Sequence, residues 1–248
     1  MNAQDRVALV TGGAKRVGRA ICLELARAGC HVAVHYRKSI VEARSTARSV
    51  ESLNRRTGLF QADLEDHAAP GQLVQAVLDK MGRLDILVNN ASVFELAGAG
   101  RLEEFDSGVW HRVFQVNTLA PTSLAAAAAE GMNRAGSGKI INLCDISADR
   151  PWANHLAYCA SKAALVCVTK ALARKLAPRI QVNGISPGIA EFPEHYDATT
   201  RRRLVEQVPM KRAGSPEAIA QAVRFVVEGP DYLTGEIVAV DGGRHLTG

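Results

Sequence analysis

Val7-Ala8-Leu9-Val10-Thr11-Gly12-Gly13-Ala14-Lys15-Arg16-Val17-Gly18 is the stretch on which the fold turns. A short apolar run ends in a glycine-rich turn, and helical periodicity takes over at once across 17–28. Glycines let the backbone turn sharply and approach a ligand closely, and Gly18 lets the helix pack against a sheet. The helix opening there presents free N–H groups and the positive end of its dipole, which suit a phosphate or pyrophosphate. A simple strand-to-helix turn would use the same glycines, so the placement between strand and helix carries the reading.

Outward from this turn, β-branched runs at 6–10, 31–35, 59–61, 86–88, 139–143, 181–185 and 237–240 alternate with helical segments near 17–28, 40–53, 68–81, 107–131, 155–176 and 216–228. Such alternation demands a parallel sheet covered on both faces, here a doubly wound Rossmann fold of seven strands. No Pro/Gly/Ser-rich linker divides the chain, so 1–248 reads as one α/β domain. The weakest secondary-structure signal runs from Gly188 to Pro209, rich in charge and carrying Pro193 and Pro209, and reads as a substrate-binding insert at about 188–210. Ala125–Ala129 reads as a tightly packed helix without chemistry.

Composition sets the bounds. With 47% hydrophobic and 22% charged residues among 248, the chain matches ordinary globular usage. Met1 to Gln4 lead straight into the first strand without a secretory signal pattern, so a cytoplasmic location is expected. No unbroken apolar run reaches about 18 residues, and no membrane association is expected. The five cysteines (22, 30, 144, 159 and 167) form no C-x-x-C pair and suggest neither disulfides nor a metal site. The net charge of +5 favours anionic ligands, but no nucleic-acid-reading module accompanies it.

At the end of the second strand, where an NAD enzyme usually places an acid against the ribose, the chain reads His35-Tyr36-Arg37-Lys38-Ser39. Two cations and a hydroxyl there, with Lys15 and Arg16 nearby, suit the 2′-phosphate of NADPH; a solvated basic loop would look the same. Tyr158 and Lys162 lie four residues apart on a helical pattern and share a face. A tyrosine ionises near ~10, and a nearby ammonium is expected to lower that value and open proton transfer.

With Thr11–Gly18, Asn89-Asn90-Ala91, Asn117, Tyr158-x-x-x-Lys162 and Pro187-Gly188 in order, the chain resembles the short-chain dehydrogenase/reductase family over essentially its whole length. The resemblance implies that Gly12, Val17, Asn90, Ala91 and Pro187-Gly188-Ile189 belong to the cofactor site, with Pro187-Gly188 by the nicotinamide. It also implies that Asp63-Leu64 receives the adenine edge, that Asn117 holds a water relay leading to Lys162, that Lys162 binds ribose, and that four subunits assemble.

Two departures narrow the reading. The family's usual serine, thirteen positions before the tyrosine, is here Asp145. An ionised carboxylate opposes the negative charge that grows on a carbonyl oxygen during hydride addition, but suits a cationic, amidine-like heterocycle whose C=N bond gains a proton on nitrogen. The glycine usual between Gly12 and Gly18 is Arg16. Together with Asn89-Asn90-Ala91-Ser92-Val93-Phe94, these features resemble the pteridine reductase and dihydromonapterin reductase branch. That branch implies Phe94 stacking a pterin against the nicotinamide, Arg16 meeting pyrophosphate and pterin, Ser92 touching cofactor or ligand, and Asp145 and Tyr158 supplying protons. The segments Gly188–His195 and Asp241–Leu246 resemble the same branch. A core-packed Phe94 and a solvated Arg201-Arg202-Arg203 helix face are the plainer readings of those residues.

The expectation is therefore NADPH-dependent reduction of dihydrobiopterin, dihydromonapterin or dihydrofolate. A 3-oxoacyl thioester or other carbonyl reductase, with Ser147 as donor, and a non-enzymatic NADP-sensing regulator are the alternatives.

Overall fold

The computed structural model describes residues 1–95, 105–192 and 196–247. Seven strands, β1 (Val7–Val10), β2 (His31–Tyr36), β3 (Thr57–Gln61), β4 (Ile86–Asn89), β5 (Gly138–Leu143), β6 (Ile180–Pro187) and β7 (Ile237–Val240), pair in the order β3-β2-β1-β4-β5-β6-β7. Every pairing is parallel. The crossovers are α1 (Arg16–Arg27), α2 (Ile40–Glu51), α3 (Ala69–Met81), α4 (Ser107–Phe114) with α5 (Ala120–Arg134), α6 (Leu156–Leu176), and α7 (Ala198–Glu206) with α8 (Pro216–Glu228).

Alternate residues of each strand serve opposite cores, because the side-chain period of a strand is two. Ala8 and Val10 join Val32, Val34, Ile86 and Val88 under Ile21 and Leu25 of α1 and Ile219, Val223 and Val227 of α8. Val7 and Leu9 turn the other way, with Leu87, Ile140 and Val182, onto Leu73 and Val77 of α3 and Leu124, Ala128 and Met132 of α5. Ala125, Ala128 and Ala129 are all buried, as the tight packing expected of that run requires.

Three sequence expectations need correction. The helix expected at 107–131 is broken by a π-helical turn at Gln115–Leu119, a local widening that the 3.6-residue period does not register. The stretch read as a substrate-binding insert, where no helix is expected, contains α7, which buries no residue and so carries no hydrophobic period to read; Asp197 starts it by accepting from Thr200 N at 2.7 Å. Pro193 and His195, part of that stretch, lie outside the described residues. By length and composition α6 is apolar enough to cross a membrane, which the search for unbroken apolar runs missed; in the fold it packs beside β6 and buries both Tyr158 and Lys162.

Candidate active site

The carboxyl ends of the strands open onto a cleft of about 680 Å³. It is walled by Gly12 and Ala14–Gly18, His35–Ser39, Ala62–Leu64, Asn90–Phe94, and Tyr158, Gly188, Ala190 and Glu191. Most of the expected cofactor residues thus meet around one space, at the point where strand order reverses between β1 and β4. Pro187, Ile189, Asn117, Asp145 and Lys162 are not among the residues that line it, though Asp145 bonds Tyr158, which is.

The glycine loop is held in shape by polar residues on neighbouring strands. Gly12 has φ +62, and a Cβ on Gly18 would sit 2.0 Å from Gly12 O, so both positions require glycine. Asn90 Nδ2 donates to Thr11 O at 2.8 Å, and Thr11 Oγ1 accepts from the backbone N–H groups of Asn90 and Ala91. His35 lies beneath: Gly12 N donates to its Nδ1 at 3.0 Å, leaving Nε2 to donate to Ala62 O at 3.2 Å. Burial pushes the His35 pKa down to about 4, so the ring stays neutral in this tautomer. Asn90 and His35 therefore brace the loop as well as lining the cleft. Arg16 takes the place of a glycine at φ 54, a strain of about 1–3 kcal/mol for a side-chain-bearing residue.

At the expected 2′-phosphate end, Lys15 and Lys38 are exposed and free of ion pairs among the described residues, whereas Arg37 is engaged by Glu65 at 2.6 Å and stands 3.9 Å from Asp63. The two lysines, the N-terminus of α1 and the glycine turn fit a phosphorylated dinucleotide; Arg37 would have to exchange partners to take part.

The other end of the cleft holds the reactive groups. Tyr158 Oη donates to Asp145 Oδ2 at 2.8 Å, and Asp145 Oδ1 accepts from Ser147 N at 2.8 Å. Burial first, and then the Asp145 charge and hydrogen bond, hold the Tyr158 pKa well above its usual value of 10. This reverses the expectation that the ammonium lowers it. Lys162 Nζ donates to Leu143 O at 2.7 Å and lies 5.6 Å from the Tyr158 ring centroid, while the carboxylate is bonded directly to the phenol. Burial in turn pushes Lys162 down, with Asp145 opposing that shift.

Asn117, in the π-helical turn, has a full set of protein partners. Its Oδ1 accepts from Ser92 Oγ and Val93 N, and its Nδ2 donates to Val93 O and Ser161 Oγ. A water relay through this amide would require breaking one of those bonds, so Asn117 and Ser92 emerge as the fixings of the segment that carries Phe94. Phe94 is 45% exposed, which excludes the core-packed reading. One face lies on His155 at a 4.4 Å centroid distance and 22°, while the ring meets Tyr158 edge-on at 4.8 Å. Phe94 also lines the cleft.

Sequence reasoning overlooked Trp152 and His155, which complete this aromatic cluster: Trp152 stacks parallel to Tyr158 at 6.2 Å. The spacing Trp152-x-x-His155-x-x-Tyr158 was the available signal. Arg244, at the start of a C-terminal 3-10 turn (Arg244–Leu246), places its guanidinium 5.9 Å over Trp152, half-buried, and desolvation pushes its pKa down against the charges of Asp145 and Asp241. Among the described residues no group of three or more His, Cys, Asp or Glu could hold a metal.

A polar pair able to trade a proton, an aromatic cluster beside it and a phosphate-binding turn suit a hydride-transferring oxidoreductase. Comparison with known proteins agrees with this class. Residues 12–245 match the family described as Enoyl-(Acyl carrier protein) reductase. The short-chain dehydrogenase/reductase FrzI of Cladobotryum sp is 34% identical over 251 residues, with 96% of this chain and 95% of that protein covered. The 3-oxoacyl-[acyl-carrier-protein] reductase FabG of Staphylococcus epidermidis is 30% identical, covering 98% and 100%. The structure of FolM Alternative dihydrofolate reductase 1 from Brucella canis, complexed with NADP, superposes with a TM-score of 0.92 at 34% identity, covering 100% of this chain and 96% of that one. The chain belongs to the short-chain dehydrogenase/reductase family.

Proposed function

We propose that the protein is an NADPH-dependent reductase of dihydropterins, acting on dihydrobiopterin, dihydromonapterin or dihydrofolate. The observation that carries this reading is the 2.8 Å hydrogen bond from Tyr158 to Asp145. A carboxylate at that place favours a substrate that becomes cationic, and a C=N bond protonated on nitrogen is such a substrate. NADP bound to the FolM structure from Brucella canis supports the cofactor, as do Lys15 and Lys38 at the phosphate end of the cleft.

Bound NADPH would supply the hydride. Phe94, which lines the cleft, would hold the pterin flat, with His155 stacked on its ring. Asp145 stabilises the charge that develops on the ring nitrogen, and Tyr158, which keeps its proton through neutrality, donates that proton to the nitrogen as hydride arrives and is reprotonated from solvent. Lys162 acts as a brace that ties α6 to the end of β5.

Carbonyl reduction is the competing reading, supported by the FabG relative. It asks Ser147 to be the donor, yet Ser147 is fully buried, its Oγ has no partner among the described residues, and its backbone N–H is bound by Asp145. The test is NADPH oxidation, read by absorbance, with the three dihydropterins and a 3-oxoacyl thioester and ketone panel. Turnover of a dihydropterin that is lost in Tyr158→Phe supports the proposal. Efficient ketone reduction by the wild type, with pterin turnover indifferent to Asp145→Ser, would overturn it. Tight NADPH binding without any turnover would leave a cofactor sensor.

A further inference from the structure

Arg16 and Glu191 stand on facing walls of the cleft, one at the start of α1 and the other on the segment that follows β6. Their side chains meet across it, Arg16 Nε donating to Glu191 Oε2 at 2.6 Å. Both partners are held there by the backbone. Arg16 keeps a left-handed φ of 54, a conformation that side-chain-bearing residues adopt seldom and that functional sites retain. On the other wall, Gly188 N donates to Val240 O at 3.1 Å, Gly214 N donates to Ile189 O at 2.8 Å, and Phe192 carries the Arg201 guanidinium 5.6 Å over its ring.

The contact uses only part of each group. Glu191 takes Nε of Arg16; the two terminal nitrogens of the guanidinium and Oε1 of Glu191 make no hydrogen bond among the described residues. The pair therefore presents donors and an acceptor side by side. Asp145 is already engaged by Tyr158 and Ser147, and Asp63 faces Arg37 at the opposite end. Glu191 is thus a carboxylate of the cleft lining whose second oxygen has no partner among the described residues.

We propose that Glu191, held by Arg16, reads the pyrimidine edge of the substrate by accepting from the ring N–H and the 2-amino group, beside the pterin contact that the branch resemblance already gives Arg16, here to the neighbouring 4-oxo oxygen. This rests on the pterin reading and adds the group that selects within it. Adjacent N–H donors and a carbonyl acceptor match a carboxylate beside a guanidinium. A 3-oxoacyl thioester has no such donor edge. Replacing the 2-amino group by oxygen would set an acceptor against Glu191, a penalty that turns hydrogen bonding into discrimination.

The test compares a dihydropterin with the dihydrolumazine of identical side chain, in which oxygen replaces the 2-amino group, using wild type and Glu191→Gln. The wild type should prefer the amino compound in kcat/KM by about tenfold to a hundredfold. In Glu191→Gln that preference should shrink to a few-fold, with the loss falling on KM for the amino compound, and NADPH affinity measured by fluorescence should hold within a few-fold. An unchanged preference in the variant overturns the inference and leaves pterin reduction standing. So does a fall in NADPH affinity as large as the fall in kcat/KM, which would make Glu191 a support of the cofactor loop. A wild type that reduces neither compound removes the pterin reading and the inference together.

Discussion

Tyr158 keeps its proton because it is buried and because its neighbour is an anion rather than an alcohol. Asp145→Asn keeps a partner for the hydroxyl and removes the charge. Dihydropterin turnover should then fall by about 10²–10⁴-fold, the usual worth of a positioned proton-transfer group. With the carboxylate gone, the phenol should ionise at lower pH, so the alkaline limb of the pH–rate profile should move down; an unmoved limb would show that it belongs to another group. His35 gives a second residue-scale expectation. Its folded pKa of about 4 lies below the ordinary 6.5, so the unfolded chain binds a proton that the folded ring refuses. Stability from this residue is fully present above pH 6.5 and is lost as pH falls toward 4, by roughly 3 kcal/mol at most. Denaturant unfolding at pH 7 and pH 4.5 should show a smaller drop for His35→Asn than for wild type.

Elements differ in how openly they are written in the sequence. The strands and most helices were legible because each buries a face and so carries a period, as Val7–Val10 and the α1 residues Ile21 and Leu25 do. α7 buries nothing and could be found only from its cap, Asp197. Asp197→Ala should speed amide exchange across 198–206 while leaving the global melting temperature in place, since no core depends on that helix. The loop between β1 and α1 is the opposite case. The Cβ of Gly18→Ala would collide with Gly12 O, so the turn must open; about 1–3 kcal/mol of stability and much of the NADPH affinity should go with it, measured by thermal melting and fluorescence titration. Within the site, the motif residues were legible by type and spacing, but their loyalties were not. Whether Arg37 faces a phosphate or Glu65, and whether Asn117 serves water or Val93, depends on neighbours brought from distant segments.

At the scale of the whole molecule, the cleft gathers residues from Gly12 to Glu191, so a ligand that fills it stabilises the entire fold. At a hundredfold excess over Kd, NADPH should add about 2.7 kcal/mol, and a thermal shift of several degrees should exceed that given by equal NADH. Equal shifts would remove the 2′-phosphate role of Lys15 and Lys38. The outer edge at β7 and α8 leaves Phe225 and Tyr232 exposed, at 55% and 101%, and we expect association to cover it. Sedimentation should report an oligomer, with Tyr232→Lys shifting the equilibrium toward smaller species.

An all-parallel sheet also has a kinetic cost. None of its seven strands can find its neighbour through a hairpin, since each pairing waits for an intervening crossover to form. Early nuclei must be closed over long loops, which slows folding and leaves strand edges unprotected meanwhile. On the ribosome, β5 emerges well before β6 and β7 can shield it, so productive synthesis of this enzyme should benefit from a chaperone that shelters nascent chains.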